Sequence, residues 1–396
     1  MPEVHDPAKS FFPETGPLDG RPASVAFVNM PLFAVDRPAL GISMLKADLE
    51  RHDIPCLNLY LNIPYAERIG LEFCGELDFL PRDAMAGDWI FAESLWGRSA
   101  ERDTAYLRLI SGNKVWEDTA ADPGQDAIDV ERMLRSCRHE ANVFLEDCLR
   151  GVPWHRFRIV GFSCQCQQLT SSLALARRLK ERDPDLVIAF GGGNCRGEMG
   201  AALLKAFPFI DAVCLGEGEG VFAEYAAAVL ERRTPGAIPG LLHRHGNDPA
   251  AVAAATVPDL DRLPDPDFGD FFAQRAHYPN PGIAKLHIVV ETSRGCWWGE
   301  KSQCAFCGLN VNALAYRHKS APRAVGEFTR LLERYGSLTR SLRAADTILP
   351  KAFLDSFFPL LSQSGQEAEI FYYVRSDLTK GQLRLASLDF HGRSFC

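Results

Sequence analysis

The run LHIVVETSRGCWWGEKSQCAFCGLN, Leu286 to Asn310, sets a short apolar segment against three cysteines, Cys296, Cys304 and Cys307, spaced C-x7-C-x2-C. "LHIVV" has the length and unbroken apolarity of a strand covered on both faces, as in a parallel sheet. The thiols therefore follow a strand's carboxyl end, where such sheets present ligands. Three is one short of the set that closes a structural zinc or iron–sulfur site. On an iron–sulfur cubane, three thiolates leave one iron without a protein ligand, free to bind a small molecule. The competing assignment is zinc completed by a histidine. His287 precedes the strand and His318 lies beyond Cys307, but structural zinc generally uses two short ligand pairs.

Upstream of this run, strands and helices alternate. ASVAFVNMP (Ala23–Pro31), CLNLYLN (Cys56–Asn62), RIVGFSC (Arg158–Cys164), LVIAFGGGN (Leu186–Asn194) and DAVCLGEGEG read as strands. ALGISMLKADLERHDI, QLTSSLALARRLKERDP, EMGAALLKAFP and VFAEYAAAVLERR carry apolar residues at helical spacing. The alternation predicts an α/β fold with a doubly wound parallel sheet, whose ligands lie beyond the strands' carboxyl ends. Those ends carry Asn29–Pro31, Ser163–Cys166, Gly191–Asn194 and Gly216–Gly220. Residues 65–150 break the rhythm with three helical stretches and read as an insertion capping the ligand. The expected domains are a flexible tail over 1–21, a first domain over 22–250, a Pro- and Asp-rich linker over 251–284, and a second domain over 285–396. Three strands are expected in the last, from LHIVVET, SLRAADTILP and EIFYYVRSDL, with helices EFTRLLERYG and AFLDSFFPLLSQSG between them.

Composition narrows the classes. A formal charge of -8 disfavours nucleic-acid binding, which needs a basic face. No apolar run is long enough to span a membrane, and the polar, Pro-rich start is unlike a signal peptide. The expected compartment is cytoplasmic, where the 12 cysteines are thiols rather than disulfides. Cys56, Cys74, Cys137, Cys148 and Cys214, each alone in apolar or helical surroundings, read as small buried hydrophobes.

RGCWWGEKSQCAFCGLN resembles the cluster loop of radical S-adenosylmethionine (SAM) enzymes. Within them it resembles the subfamily that matures ribosomally synthesised, post-translationally modified peptides (RiPPs) and carries an N-terminal cobalamin-binding domain. The usual motif of those enzymes is C-x3-C-x2-C; the widened first gap and the trailing FCGLN are those of the subfamily. VNMPLFAVDRPALGISMLKADLE, GFSCQCQQLTSSLALARRLKERDP, GGGNCRGEMGAALLKAFPFIDAV and GEGEGVF extend the resemblance from about residue 22 to about residue 385. It implies a Rossmann-like cobalamin-binding domain followed by a partial radical SAM α/β barrel. Cys296, Cys304 and Cys307 would hold a [4Fe–4S] cluster whose open iron chelates the amino and carboxylate groups of SAM. One electron, from a flavodoxin or ferredoxin, then cleaves the sulfonium and yields a 5′-deoxyadenosyl radical that takes hydrogen from an unactivated carbon. The cofactors supply this chemistry and the protein positions them. A methyl group on the corrin would pass to the substrate, which implies C-methylation of a precursor peptide.

The resemblance also assigns binding residues. Phe306 would lie near the adenine, or else pack the loop. Gly191, Gly192, Gly193, Gly216 and Gly218 would let backbone approach the nucleotide tail of cobalamin. Gln165, Gln167 and Gln168 would face the corrin or be solvated helix-start residues, since no Asp-x-His-x-x-Gly motif offers cobalt a histidine. Trp297 and Trp298 would shield the cluster or pack the core. Arg375 would pair with the SAM carboxylate through its planar fork, or sit on the surface. The chain departs from the family in reading ADTIL where an Asn follows the Asp, and FYYVRSDL where an acid and a lysine are usual. A complete radical SAM domain needs roughly 200 residues; the polar tail LTKGQLRLASLDFHGRSFC therefore reads as a C-terminal truncation, which would leave EIFYYVRSDL as an open, aggregation-prone edge. Two further readings stay open: a radical SAM epimerase or cross-linking enzyme without methyl transfer, and an inactive remnant that only binds cobalamin or peptide.

Overall fold

The computed structural model describes residues 23–71, 73–74, 77, 84–111, 130–244, 246, 253–279, 282–283, 285–305, 307–308, 315–375 and 378–381. The chain groups into two compact units. The first comprises Met1–Val35, Leu49–Ala255 and Gly269–Gly282; the second comprises Asp36–Asp48, Thr256–Phe268 and Ile283–Cys396.

The elements up to residue 282 run β1 (Val25–Asn29), α1 (Leu40–Glu50), β2 (Cys56–Tyr60), α2 (Asn62–Ile69), α3 (Ala86–Trp96), α4 (Ala100–Ser111), α5 (Val130–Gly151), β3 (Ile159–Ser163), α6 (Leu169–Arg182), β4 (Val187–Gly191), α7 (Glu198–Ala206), β5 (Ala212–Cys214), α8 (Val221–Leu230), β6 (Leu241–His243) and α9 (Gly269–His277). The sheet order is β2-β1-β3-β4-β5-β6, parallel except for β6. The expected doubly wound parallel sheet is present. Its order reverses between β1 and β3, and the carboxyl ends of the strands at such a switch are the usual ligand position in these sheets. Val25 to Asn29 are all buried, as continuous apolarity requires of a central strand.

The helices of the insertion belong to the same core. α5 buries Leu134, Cys137, Ala141, Phe144, Leu145 and Cys148, an i, i+3, i+4, i+7 stripe. Tyr65 donates to the Cys137 carbonyl at 2.9 Å and meets Phe144 edge-on. α3 lies close on α6: Gly87 leaves no room for a side chain, since a Cβ there would stand 2.7 Å from the Gln167 carbonyl oxygen.

The sheet's β2 edge is closed by side chains. Asn58 N donates to Asp270 Oδ2 and Tyr60 N to Gln274 Oε1, both at 2.8 Å, while Gln274 Nε2 donates to the Asn58 carbonyl at 2.7 Å. Residues 269–277, which composition assigns to a linker, thus form a helix that satisfies backbone groups an edge strand would otherwise leave unpaired.

In the second unit, β7 (Ile288–Val290), β10 (Ser341–Ala344) and β11 (Glu369–Phe371) form a parallel sheet in the order β11-β10-β7, while β8 (Ser293–Arg294) and β9 (Arg317–His318) pair antiparallel. α10 (Ala321–Tyr335) is capped by Ser320, whose hydroxyl accepts from Arg323 N, and carries Pro322 in its first turn. It and α11 (Phe357–Gln363) join through an edge-to-face contact of Phe328 with Phe357. Lys319 and Glu327, both fully buried, pair at 2.6 Å, and Arg323 joins Glu327 at 2.9 Å. Every described cysteine is a free thiol, and among the described residues no helix is long and apolar enough to cross a membrane.

Candidate functional site

The cysteine run leaves the carboxyl end of β7 and is tied at its base. Ser293 pairs with His318 and Arg294 with Arg317, and Lys319 N donates to the Thr292 carbonyl at 2.8 Å. The described residues from Gly295, which turns with a φ of 83°, through Gly308 therefore lie beyond this base, and are called the cysteine lobe below. Within it, Cys296 and Cys307 are half-buried and Cys304 is exposed. Glu300 N donates to the Cys296 carbonyl, Cys307 N to the Cys304 carbonyl, and Gly299 N to Cys296 Sγ at 3.3 Å. Among the described residues, no three His, Cys, Asp or Glu side chains converge as a metal site. The structure thus places the three thiols on one lobe without drawing them together. Nor does it supply a zinc shell: His318 is exposed, with Nδ1 2.8 Å from the Lys319 carbonyl. Phe306 lies outside the described residues.

Beneath the lobe sits an acid whose role the sequence does not announce. Asp346, 1% exposed, follows β10 and accepts from Thr292 N (2.8 Å), Thr292 Oγ1 (2.7 Å) and Ser293 Oγ (2.5 Å). The Tyr372 hydroxyl meets Thr292 Oγ1 at 3.1 Å. Burial pushes the Asp346 carboxyl up to about 7, against the opposing pull of the Ser293 and Thr292 donors. A buried carboxyl after β10 thus holds the turn after β7, and Tyr372, after β11, reaches the same Thr292 hydroxyl. Its only signal in the sequence is an acid in the otherwise apolar-leaning stretch after a strand.

Arg375 is half-buried and stacks its guanidinium over Trp298 at 3.8 Å and Trp297 at 5.5 Å. Trp297 in turn donates Nε1 to the Leu349 carbonyl at 3.1 Å. The two rings stand perpendicular, and Trp298 draws Arg375 to the cysteine lobe by cation–π attraction.

In the first unit, the carboxyl edge of the sheet is organised by buried amides. Gln165 N donates to Gln168 Oε1, Gln168 Nε2 to Asn29 Oδ1, and Asn29 Nδ2 to Asn62 Oδ1, each at 3.0 Å. Asn62 passes the chain on to the Ala34 carbonyl at 2.9 Å. Gln168 is fully buried, so it is neither a solvated helix-start residue nor free to face a ligand. Gln167 adopts a left-handed φ of 67° and accepts from Gly87 N; Gln165 remains exposed.

The predicted glycines divide by what surrounds them. Gly192 has a φ of 95°, and a Cβ there would lie 2.7 Å from the Cys164 carbonyl oxygen. At Gly216 a Cβ would lie 2.3 Å from the Ala255 carbonyl oxygen. Both are required by the chain's own backbone. Gly191 and Gly193 are less confined: a Cβ would touch Cys214 Cβ at 3.5 Å and the flexible end of Gln165 at 2.8 Å, respectively. Gly218 precedes α8, its carbonyl accepting from Phe222 N in the helix's first turn. All five are half-buried.

No protein-family model matches the chain. It is 29% identical over 153 residues, 38% of its length and 21% of the relative's, to the cobalamin-dependent radical SAM methyltransferase TokK of Streptomyces tokunonensis. It is 28% identical over 179 residues, 43% of its length and 31% of the relative's, to the anaerobic magnesium-protoporphyrin IX monomethyl ester cyclase of Rubrivivax gelatinosus. The aligned stretches thus span about a fifth to a third of these relatives. Among solved structures, the cobalamin-dependent SAM radical enzyme OxsB with aqua-cobalamin bound superposes with a TM-score of 0.57 at 12% identity, over 93% of this chain and 42% of that one. The radical SAM methyltransferase TsrM of Kitasatospora setae, with cobalamin and a [4Fe–4S] cluster bound, gives 0.53 at 12% identity, over 93% and 57%. At such identities the likeness is one of fold: an α/β architecture shared by cobalamin-dependent radical SAM enzymes.

Proposed function

We propose that this chain is a cobalamin-dependent radical SAM C-methyltransferase acting on a ribosomally synthesised precursor peptide. The observation that carries the reading is the presence in one chain of a β2-β1-β3-β4-β5 sheet and, on a second parallel sheet, a three-cysteine lobe beyond β7. The donor set fits an iron–sulfur cluster, because three thiols within one lobe match the ligand type and leave room for an exogenous one. Cluster, SAM and cobalamin, when bound, supply the radical and the methyl group.

The chain's own residues prepare the ground. Cys296, Cys304 and Cys307 would hold the iron of the cluster. Asp346 and its hydroxyl donors anchor the lobe's base, and Trp297, Trp298 and Arg375 cover one flank. Arg375, held over Trp298 by its guanidinium face, is read as the partner of the SAM carboxylate. In the first unit, Gly191, Gly193 and Gly218 keep the sheet's carboxyl edge low enough for a large ligand, while Gly192 and Gly216 let the loops fold. The protein works in the cytoplasm with a flavodoxin or ferredoxin as electron donor.

Anaerobic reconstitution with iron and sulfide tests this. About four irons per chain are expected, as for a cubane, with their charge-transfer absorption lost in Cys296→Ala and with cobalamin retained through gel filtration. Zinc held by the three cysteines, or no cluster, would overturn the reading. Similarity to a cyclase favours a second reading, radical chemistry without methyl transfer, such as epimerisation or cross-linking. SAM cleavage with a modified but unmethylated peptide would select it.

A further inference from the structure

At the opposite end of the first unit's sheet, where β3, β4 and β5 begin, lies a cleft of about 480 Å³. That volume is within the range of small-molecule sites and well above that of a bare ion. Arg158, Arg232, Arg233 and Arg244 line it, with Val187, Val229 and Pro235 as apolar wall.

The arginines differ in how they are held. Arg233 is neutralised by Glu231 at 2.5 Å. Arg244 instead donates to three carbonyls, those of Ile210 (2.6 Å), Leu204 (2.9 Å) and Phe207 (2.7 Å). Arg158 Nη1 donates to the carbonyl of Asp185 at 2.9 Å, not to its carboxylate. Neutral acceptors fix a guanidinium without cancelling its charge. Among the described residues, no carboxylate pairs with Arg158, Arg232 or Arg244. Of the acids lining the cleft, Asp211 is taken by Lys180 at 2.9 Å and by Ile188 N at 2.7 Å, which leaves Asp185. His243 is held against the Gly236 carbonyl at 2.9 Å.

A second observation concerns Arg232 itself. It ends α8 with a left-handed φ of 56°, and Arg233 N closes the turn on the Ala228 carbonyl at 2.9 Å. Helices usually place glycine at such a turn, because a Cβ there is unfavourable. An exposed arginine accepted at this position points to a role for its charge.

We propose that this cleft binds a small organic phosphate. Arg158, Arg232 and Arg244 take the phosphate, and its organic part lies against Val187, Val229 and Pro235. A doubly charged tetrahedral group matches three guanidiniums lining one cleft better than a single carboxylate does. The site stands at the other end of the strands from the glycines read as cofactor-binding, and it does not depend on the radical chemistry.

The test is binding of phenyl phosphate and inorganic phosphate by the full chain, followed by equilibrium dialysis and thermal unfolding at constant ionic strength against chloride. Phenyl phosphate is expected to bind more tightly than inorganic phosphate and to raise the melting temperature. Arg232→Gly should unfold at a higher temperature than the parent in chloride, since the left-handed turn is relieved. It should bind phenyl phosphate roughly tenfold or more weakly, as expected for the loss of one charged donor; Arg158→Ala should weaken binding likewise. Undiminished binding by both variants, or a chloride effect equal to that of phosphate, would overturn the proposal.

Discussion

At the scale of single residues, the chemistry of the second unit turns on Asp346. Its carboxyl holds a proton to about 7 in the folded chain, against an ordinary 3.8. Between those values the folded state binds more protons than the unfolded one. The stability this group contributes is therefore complete below the unfolded value and is lost as pH rises through the folded one, about 4 kcal/mol across the window. Asp346→Asn should flatten that part of the stability–pH curve, since an amide still accepts from Thr292 N and can donate to the hydroxyls. Denaturant midpoints at pH 4.5 and 7.5 would measure it, and a slope equal to the parent's would show the carboxyl to be ordinary. Nothing local in ADTIL foretells this, because the carboxyl's desolvation comes from β7 and its following turn. The three cysteines are the reverse case: their spacing alone marks them, while the fold does not draw them together.

Among elements, α9 shows how a segment's composition and its task diverge. Its Pro- and Asp-rich approach reads as a linker, yet Asp270 and Gln274 complete the hydrogen bonds of the β2 edge. Gln274→Ala would remove the amide that bonds Tyr60 N and the Asn58 carbonyl. The expected loss is about 1–3 kcal/mol, that of two buried hydrogen bonds, read as a lower urea midpoint. A loss below half a kilocalorie would mean that water replaces the amide. The insertion is a similar case. Its helical periodicity was plain in DVERMLRSCRHEANVFLEDCLRG, whereas its burial against Tyr65 and α6 depends on where the sheet puts those partners.

For the whole molecule, stability should be graded from the first unit's centre outward. β1, β3 and β4 are each paired on both sides and almost wholly buried. Their amides should exchange with solvent most slowly, and those of the cysteine lobe among the fastest, by hydrogen exchange followed with mass spectrometry. Uniform protection across the two would contradict this grading. Assembly of the cluster should then slow exchange in the lobe while leaving β1, β3 and β4 unchanged.

The sequence by itself determined the doubly wound α/β class and the lobe of thiols after a strand. Both follow from signals within a few residues of one another: unbroken apolar runs, helical periodicity and a short cysteine spacing. Only the tertiary structure decided that Gln168 is buried rather than solvated, that Gly192 and Gly216 serve the chain's own backbone, and that Asp346 binds the strands beneath the lobe. Gln168 meets Asn29 across 139 positions and Asp346 meets Thr292 across 54. Such partners are set by strand order and register, and the desolvation that changes a polar group's behaviour exists only once the sheets have formed.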